Sequence, residues 1–100
     1  MQRGEIWTVL PLSHPKPRPA IIVSVDAWNA HAPDVILVPL TTRAGPSRPD
    51  VKHPHLKQKS YAKCGAVAAI PKERLGRRVG SVGPNTMNSI ARELRRLLGV

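Results

Sequence analysis

The sequence predicts a mainly β fold of the α+β class, in which a small antiparallel, barrel-like sheet is covered on one side by a C-terminal α-helix. Short apolar runs rich in β-branched residues recur between residues 6 and 70. The segments between these runs are too short for helical crossovers, so the strands are expected to pair antiparallel. One long amphipathic pattern then closes the chain. We therefore expect a single domain over residues 1–100.

The first two predicted strands flank a proline-rich segment. Ile6–Leu10 is short, β-branched and aromatic, which is typical of a strand. Residues 11–19 contain four prolines. Because proline has no amide donor, this segment is predicted to be an extended, exposed loop. The apolar run Ala20–Val25 then predicts a second strand that is buried on both faces.

The middle of the chain alternates between strands and polar connections. Residues 26–34 are interpreted as a connection with about one helical turn. Val35–Thr41 predicts a third strand, in which Pro39 indicates a bulge or an edge position. Residues 43–60 are basic and proline-rich, so we expect a long loop with a weak strand around Val51–Lys57.

The last third of the chain predicts one more strand and two helical segments. Ala66–Ile70 has a strand pattern, and Pro71–Leu75 suits a short helical turn. A long helix is then indicated by Gly83 at the N-cap, Pro84 at the first helical position and Gly99 at the C-terminal cap. Its apolar face shows the three-and-four spacing of an amphipathic helix, with Met87, Ile90, Ala91, Leu94, Leu97 and Leu98.

The composition favours a soluble basic protein that binds polyanions. Apolar residues make up 41% of the chain, which is enough for a packed core. Sixteen Lys and Arg against six Asp and Glu give a formal charge of +10. Such a charge attracts nucleic acid, an acidic protein or a membrane surface. The only cysteine, Cys64, excludes an intramolecular disulfide and fits a reducing compartment.

The sequence contains no pattern typical of membrane insertion or export. No apolar stretch approaches the ~20 residues that span a bilayer. The N-terminus enters a strand pattern at once and leaves no room for a signal peptide. We therefore expect a cytoplasmic protein that does not bind membranes.

Metal and cofactor chemistry are disfavoured. His53 and His55 could combine with Cys64 or His14 in a zinc site, but no paired-ligand motif supports this grouping, and neighbouring lysines would repel a cation. The sequence has no glycine-rich phosphate loop, no nucleophile elbow and no carboxylate pair at catalytic spacing. We expect an enzyme of this sequence to work without a cofactor.

A cationic site is the chemistry that remains. Arg18 lies between Pro17 and Pro19, which stiffen the backbone and reduce the entropy lost when the guanidinium is positioned. A planar five-donor cation suits the charge that develops on a phosphate during displacement. Thr41 and Thr42 end the third strand, where a hydroxyl can bond a phosphoryl oxygen. The residues alone favour the simpler interpretation, in which Arg18 is a solvated arginine and the hydroxyls bond neighbouring backbone groups.

Four segments together resemble the MazF/PemK family of toxins. Arg3–Trp7 is similar to the opening strand of that family, and Lys16–Ser24 resembles its Arg-Pro signature followed by an apolar strand. Val35–Thr41 resembles its third strand, which ends in Thr or Ser. Met87 and the ending Leu97–Val100 are similar to its C-terminal helix and Leu-Gly terminus. The resemblance spans nearly the whole chain in order.

The resemblance implies an SH3-like barrel that forms a homodimer and cleaves single-stranded RNA sequence-specifically without a metal. In such toxins the ribose 2′-hydroxyl attacks the adjacent phosphate and leaves 2′,3′-cyclic phosphate and 5′-hydroxyl ends. The family's catalytic arginine and threonine correspond to Arg18 and Thr41. Arg18 would stabilise the phosphorane and Thr41 would bond the scissile phosphate. The implied targets are mRNA and, as further classes, tRNA or rRNA, and the implied effect is inhibition of translation and growth. An acidic antitoxin is the implied partner.

Two departures from the family pattern concern the site. Some members carry an acidic residue before the Arg-Pro pair, but residues 11–19 contain none and His14 is the candidate in its place. Ala66 occupies a position where many members have serine. The missing acidic residue leaves the general base unassigned, and the alanine is expected to affect sequence preference or the hydrogen bonding around the site. Trp28 is a candidate for base stacking, and six residues are expected to contact RNA, chiefly at its phosphates: His14, Lys16, Thr42, Arg43, His53 and Lys57.

Two other functions are compatible with the same sequence. A CcdB-like toxin would bind gyrase without cleaving RNA, but this interpretation assigns no function to the Arg18-Pro19 pair. A non-catalytic basic barrel would bind RNA and leave it intact, and the scarcity of aromatic residues counts mildly against it. Incubation with RNA in a chelator separates all three.

Overall fold

The computed structural model describes residues 1–10 and 16–100 and shows a curled antiparallel sheet with a C-terminal helix. Seven strands and two α-helices follow one another in the described residues. Their bounds are β1 Glu5–Val9, β2 Arg18–Ile22, α1 Asp26–His31, β3 Asp34–Thr41, β4 Asp50–Val51, β5 Ser60–Ala62, β6 Ala68–Pro71, β7 Leu75–Ser81 and α2 Pro84–Leu98.

The sheet order is β4-β5-β3-β2-β1-β7, and every pairing is antiparallel. The third strand also pairs with β6, along Asp34–Leu37, while β5 pairs with its end at Leu40 and Thr41. Because two strands share one edge of β3, the sheet curls into a half-barrel. The predicted fold class is therefore confirmed.

The third strand shows how proline is accommodated inside a sheet. Pro39 pairs with Ala20 of β2 on one edge. On the other edge it lies between the segments of β3 that pair with β6 and β5, and its carbonyl accepts a hydrogen bond of 2.9 Å from the Lys63 amide. Because Pro39 is not paired with another strand on that edge, its lack of an amide hydrogen removes no hydrogen bond between strands. The strand is confirmed, and Pro39 occupies a locally unpaired edge rather than a bulge.

The second strand begins and ends earlier than predicted, at Arg18 and Ile22 instead of Ala20 and Val25. Arg18 pairs with Val9 and Pro19 pairs with Thr8, so the end of the expected loop belongs to β2. Pairing with β3 starts only at Ala20. Pro19 therefore has a paired neighbour on one side only, where its missing amide is tolerated.

Several predictions for the second half of the chain were wrong. The weak strand expected over Val51–Lys57 is limited to β4, because residues 53–56 form a turn in which the Leu56 amide bonds the His53 carbonyl at 3.0 Å. The strand expected over Ala66–Ile70 begins at Ala68, after a 3₁₀ turn over Cys64–Ala66. Strands β5 and β7 were not predicted from the sequence. The helical turn expected over Pro71–Leu75 is confirmed at Lys72–Arg74.

The core occupies both faces of the sheet. On one face, strand residues pack against the underside of α2, and this cluster includes Ile6, Ile21, Val38, Leu40, Cys64, Met87 and Ile90. The opposite face buries a smaller cluster of Val9, Ala20, Ile22, Val35 and Leu37. Alternate residues of β2 and β3 thus serve the two clusters, which explains their apolar runs.

The C-terminal helix begins and ends as predicted. Gly83 is the N-cap, Pro84 is the first helical residue, and Gly99 has a φ of 71° in the left-handed region that suits a C-terminal cap. Leu97 and Leu98, however, are 44% and 61% exposed, because the core cluster extends along α2 only as far as Leu94. Within the described chain, no helix is both long and apolar enough to cross a membrane.

Candidate active site

A groove of about 880 Å³ opens between the start of β2, the end of β3, strand β7 and the loop before β5. We call it the basic groove, because four of its lining side chains are Lys or Arg and, within the described chain, none is acidic. Its polar lining includes Arg18, Thr42, His55, Lys57, Arg77 and Arg78. A concave surface of one charge sign concentrates polyanions.

Arg18 joins the basic groove to a second cavity. As the first residue of β2 it is exposed, and its pairing with Val9 fixes the backbone that carries it. It lines the basic groove and also an apolar pocket of about 510 Å³, which opens on the sheet face opposite α2. Val9, Leu37 and Ile70 form part of this apolar pocket.

Thr41 lies at the apolar pocket together with Arg18. Ala20 pairs with Pro39, and continuing that antiparallel register by two residues places Arg18 level with Thr41. Residues two apart along a strand share a face, so both side chains belong to the same side of the sheet. The fold thus brings together the two residues that the sequence analysis chose as catalytic.

The Thr41 hydroxyl already accepts one hydrogen bond. The Arg43 amide donates to Thr41 Oγ1 at 3.2 Å. A hydroxyl carries one hydrogen and two lone pairs, so this contact uses a lone pair and leaves the hydrogen for a ligand. The backbone bond considered as an alternative role for Thr41 is therefore present, and it orients the hydroxyl as a donor.

The other expected RNA contacts fall into three groups. Thr42 and Lys57 line the basic groove. Lys16 is exposed two residues before β2, and Arg43 is exposed beyond the end of β3, where its carbonyl accepts a bond of 3.0 Å from Arg48. Neither lines the groove. His14 lies outside the described residues.

His53 holds the loop in place instead of lining the basic groove. Its Nδ1 accepts a 3.1 Å hydrogen bond from the His55 amide, and its imidazole covers Gly80 so closely that a Cβ there would overlap the ring. Next to Gly80 on β7, the carbonyl oxygen of Val79 lies 2.9 Å from His55 Nδ1. These contacts dock the loop onto β7, and they place His55 in the groove.

Three groove residues were missed from the sequence: His55, Arg77 and Arg78. The two arginines are on β7, and the Thr8 hydroxyl accepts a 2.9 Å bond from the Arg77 amide. Strand β7 has the sequence LGRRVGS and buries only Gly80, so it lacks the apolar alternation that marks a strand. Trp28, considered for base stacking, is 50% exposed on α1 and does not line the groove.

Glu5 anchors the start of β1 to β7. Its carboxylate accepts hydrogen bonds from the Gln2 amide at 2.8 Å, the Trp7 indole at 3.0 Å and Arg78 Nε at 2.8 Å. Burial raises the pKa of this carboxyl, but the three donors and the Arg78 charge outweigh burial, and the net pKa is lowered. Arg78 is therefore held in an ion pair at the groove wall.

Replacing Glu5 by glutamine is expected to destabilise the protein by about 1 kcal/mol at pH 7, since one charged, partly solvated hydrogen-bond acceptor is lost. Because folding lowers the pKa of Glu5, its contribution is present above the pKa of the unfolded state and is lost as pH falls through the folded pKa. Urea unfolding at pH 7 and at pH 3 should show the wild-type advantage shrinking at pH 3. The matched control is Glu73→Gln, which changes an exposed carboxylate. An equal difference at both pH values would contradict this linkage.

The remaining chemistry-bearing groups are dispersed. Burial raises the pKa of the Cys64 thiol, so this side chain behaves as a small core residue. Among residues 1–10 and 16–100, no three His, Cys, Asp or Glu side chains converge as metal ligands do.

Comparison with known proteins identifies close relatives of this fold and sequence. A family model for PemK-like, MazF-like toxins of type II toxin–antitoxin systems matches residues 2–98. The chain is 34% identical over 92 residues to endoribonuclease MazF4 of Mycobacterium tuberculosis strain H37Rv and to endoribonuclease MazF1 of Mycobacterium bovis. Each alignment covers 83% of this chain and 80% of the relative.

Solved structures show the same architecture. An endoribonuclease from a mycobacterial species, in complex with its cognate antitoxin, superposes with a TM-score of 0.85 at 30% identity, over 100% of this chain and 96% of that one. MazF in a MazE–MazF complex from Deinococcus radiodurans gives a TM-score of 0.83 at 18% identity, over 100% and 96% of the two chains. The second likeness concerns the fold alone.

Proposed function

The chain belongs to the family of PemK-like, MazF-like toxins of type II toxin–antitoxin systems, and we propose that it is an endoribonuclease that cleaves single-stranded RNA sequence-specifically without a metal ion. The observation that carries this proposal is the position of Arg18 and Thr41. They line one pocket, at the end of a basic groove suited to a polyanionic chain. The mycobacterial relatives at 34% identity are endoribonucleases.

RNA carries its own nucleophile beside each phosphate. In the proposed reaction the ribose 2′-oxygen forms a bond to phosphorus, and the bond from phosphorus to the 5′-oxygen of the next nucleotide breaks. The 2′-hydroxyl loses its proton and the leaving oxygen gains one. The products are a 2′,3′-cyclic phosphate and a 5′-hydroxyl. Because the nucleophile is already adjacent, the protein has to supply orientation, charge stabilisation and proton transfer.

Arg18 and Thr41 supply the charge stabilisation. The guanidinium offers several donors in a fixed plane, which matches the equatorial oxygens of a pentacoordinate phosphorus. The Thr41 hydroxyl, which already accepts from the Arg43 amide, donates its hydrogen to a non-bridging oxygen. Both interactions strengthen as negative charge accumulates in the transition state, which is the condition for accelerating the chemical step.

Binding and selection are divided between the two cavities. Lys57, Arg77 and Arg78 attract the phosphates along the basic groove, and this contribution carries no sequence information. The apolar pocket beside Arg18 offers a base the apolar side chains of Val9, Leu37 and Ile70, while Lys63 and Arg74 also line it. Sequence preference is therefore proposed to come from this pocket, with mRNA as the principal target and tRNA and rRNA as further target classes.

An acidic antitoxin is the protein partner we propose. The net charge of +10 favours an anionic chain, and the mycobacterial endoribonuclease of 30% identity was solved with its cognate antitoxin. We further propose a homodimer that acts in the cytoplasm and inhibits translation and growth when the antitoxin is absent.

Purified protein incubated with single-stranded RNA in excess EDTA is expected to produce discrete fragments. Each cut should leave a cyclic phosphate, detected because the 3′ end resists phosphatase until acid opens the ring to a monoester, and a 5′ end that polynucleotide kinase labels directly. Addition of Mg²⁺ should not increase the rate. Cleavage that requires Mg²⁺, or products with 5′-phosphates, would refute the proposed chemistry.

The same incubation distinguishes the two alternative functions. A gyrase-binding toxin would neither cut nor retain the RNA and would instead inhibit supercoiling by gyrase. A non-catalytic RNA-binding barrel would retain intact RNA, with an affinity that falls steeply as salt rises.

A further inference from the structure

We infer that His55 accepts the proton of the ribose 2′-hydroxyl during RNA cleavage, an inference that rests on the proposed function. The groove has no acidic side chain within the described chain, and the reaction needs a proton acceptor. Among the histidines of the described residues, His55 is the one that lines the same groove as Arg18. Imidazole is the ordinary side chain that exchanges protons near neutral pH.

The hydrogen bond between His55 and β7 determines which ring nitrogen of His55 can accept a proton. Nδ1 lies 2.9 Å from the Val79 carbonyl oxygen. A carbonyl oxygen only accepts, so Nδ1 must carry the hydrogen. In the neutral ring Nε2 then has the free lone pair. A backbone carbonyl that orients one imidazole nitrogen while the other accepts a proton is an effective arrangement for a general base.

The position of His55 is fixed by the turn that carries it. The His55 amide donates to His53 Nδ1 at 3.1 Å, and the Leu56 amide donates to the His53 carbonyl at 3.0 Å. The His53 ring packs over Gly80, the residue next to Val79. Because a side chain at position 80 would displace that ring, the loop approaches β7 closely only where the strand has glycine. The turn therefore docks on two adjacent residues of β7, which limits the freedom of His55.

The charged side chains of the described residues that line the groove with His55 are all cationic, and the His53 ring lies beside His55 with the ring centroids 5.1 Å apart. Arg77 and Arg78 face the groove from β7, Lys57 from the same loop and Arg18 from β2. Arg78 also forms an ion pair with the Glu5 carboxylate. These cations attract the phosphate that brings the 2′-hydroxyl to the groove.

In the proposed step every bond and proton is accounted for by RNA, His55 and solvent water. Nε2 of neutral His55 takes the 2′-hydroxyl proton as the bond from the 2′-oxygen to phosphorus forms. The bond from phosphorus to the 5′-oxygen breaks, and that oxygen takes a proton from water. Arg18 and Thr41 meanwhile hold the non-bridging oxygens. His55 then releases its proton to solvent, which restores the neutral ring.

The test measures cleavage rates from pH 5 to pH 9 at constant ionic strength, in EDTA, for the wild type, His55→Gln and His55→Ala. The wild-type rate should fall by up to about tenfold per pH unit on the acidic side of the profile, as expected when a neutral imidazole has to accept the proton. His55→Gln should cut about 100-fold more slowly at pH 7.5 and should lose that acidic limb. Free imidazole should raise the rate of His55→Ala and not that of the wild type.

His31→Gln is the matched control. His31 is exposed on α1, and its Nδ1 contacts a backbone carbonyl, Ala27, at 3.0 Å, as His55 does with Val79. His31 lines neither the basic groove nor the apolar pocket. The cleavage rate and pH profile of His31→Gln should therefore equal those of the wild type. The affinity for a 2′-deoxy substrate analogue, which binds without being cut, should be unchanged in His55→Gln.

Four outcomes would overturn the inference. The first is a wild-type rate that does not fall between pH 8 and pH 5, which needs no variant. The second is His55→Gln activity within threefold of the wild type with the acidic limb kept. The third is a lower rate matched by an equal loss of analogue affinity, which would make His55 a binding residue. The fourth is the absence of rescue by imidazole in a folded His55→Ala protein. If the wild type itself fails to cut RNA, the proposed function fails, and that result is distinct from all four.

Discussion

Alanine in place of Arg18 is expected to lower the rate of RNA cleavage by about 1,000-fold, because the transition state loses a charged multi-donor partner for its phosphorus oxygens. Arg18 is exposed at the start of β2, so truncating its side chain opens no cavity in the core. Strand β2 keeps its pairing with Val9 through the backbone. The thermal unfolding midpoint should therefore remain close to that of the wild type. Single-turnover cleavage of a fixed RNA in EDTA gives the rate.

Two further variants separate charge from geometry at this position. Arg18→Lys keeps one positive charge and loses the planar fork, so it should recover only part of the rate. Arg95→Ala is the matched control for charge, since it removes one exposed arginine from α2, away from both cavities. Its rate should stay within about twofold of the wild type at moderate salt. An Arg18→Ala protein that cuts RNA at the wild-type rate would remove Arg18 from the active site.

Valine in place of Thr41 is expected to lower the cleavage rate by about 100-fold, since valine has the same shape and lacks the hydroxyl that donates to the scissile phosphate. The substitution also removes the acceptor of the Arg43 amide. Arg43 is exposed, so water can take that hydrogen bond and the cost to stability is small. The β-branched side chain keeps the strand preference of β3.

The Thr41 effect should appear in the chemical step rather than in binding. The single-turnover rate at saturating enzyme should fall, while the affinity for an uncut 2′-deoxy analogue should change by less than threefold. Thr41→Ser should retain most of the activity because it keeps the hydroxyl, and Thr86→Val on α2 is the control for the same exchange elsewhere. A loss confined to affinity would make Thr41 a binding residue only.

The sequence was most informative where local rules and burial agree. The third strand and the C-terminal helix were predicted nearly residue by residue, because apolar periodicity and terminal residues specify such elements locally. The Arg18 and Thr41 assignments came from the resemblance to known toxins, since neither side chain has a distinctive local environment. The antiparallel register of β2 and β3 then brings both to one pocket.

The basic groove itself could not be predicted. Strand β7 is mostly exposed and holds a Gly-Arg-Arg run, so its pairing with β1 provides the strand character that its own residues lack. His55 appeared in the sequence as one of several loop residues in a basic segment. Its place in the site depends on hydrogen bonds to residues 24 positions later in the chain.

The sequence by itself determined the family, the main strands, the helix that covers the sheet and the cationic character of the site. These properties depend on residue type and on spacing over a few positions, which the chain carries locally. Only the tertiary structure decided how Arg18 is shared between two cavities, which nitrogen of His55 contacts the backbone of β7 and which arginines of β7 complete the wall. These features depend on backbone contacts between segments far apart in the chain, and such contacts are fixed only when the sheet curls and closes.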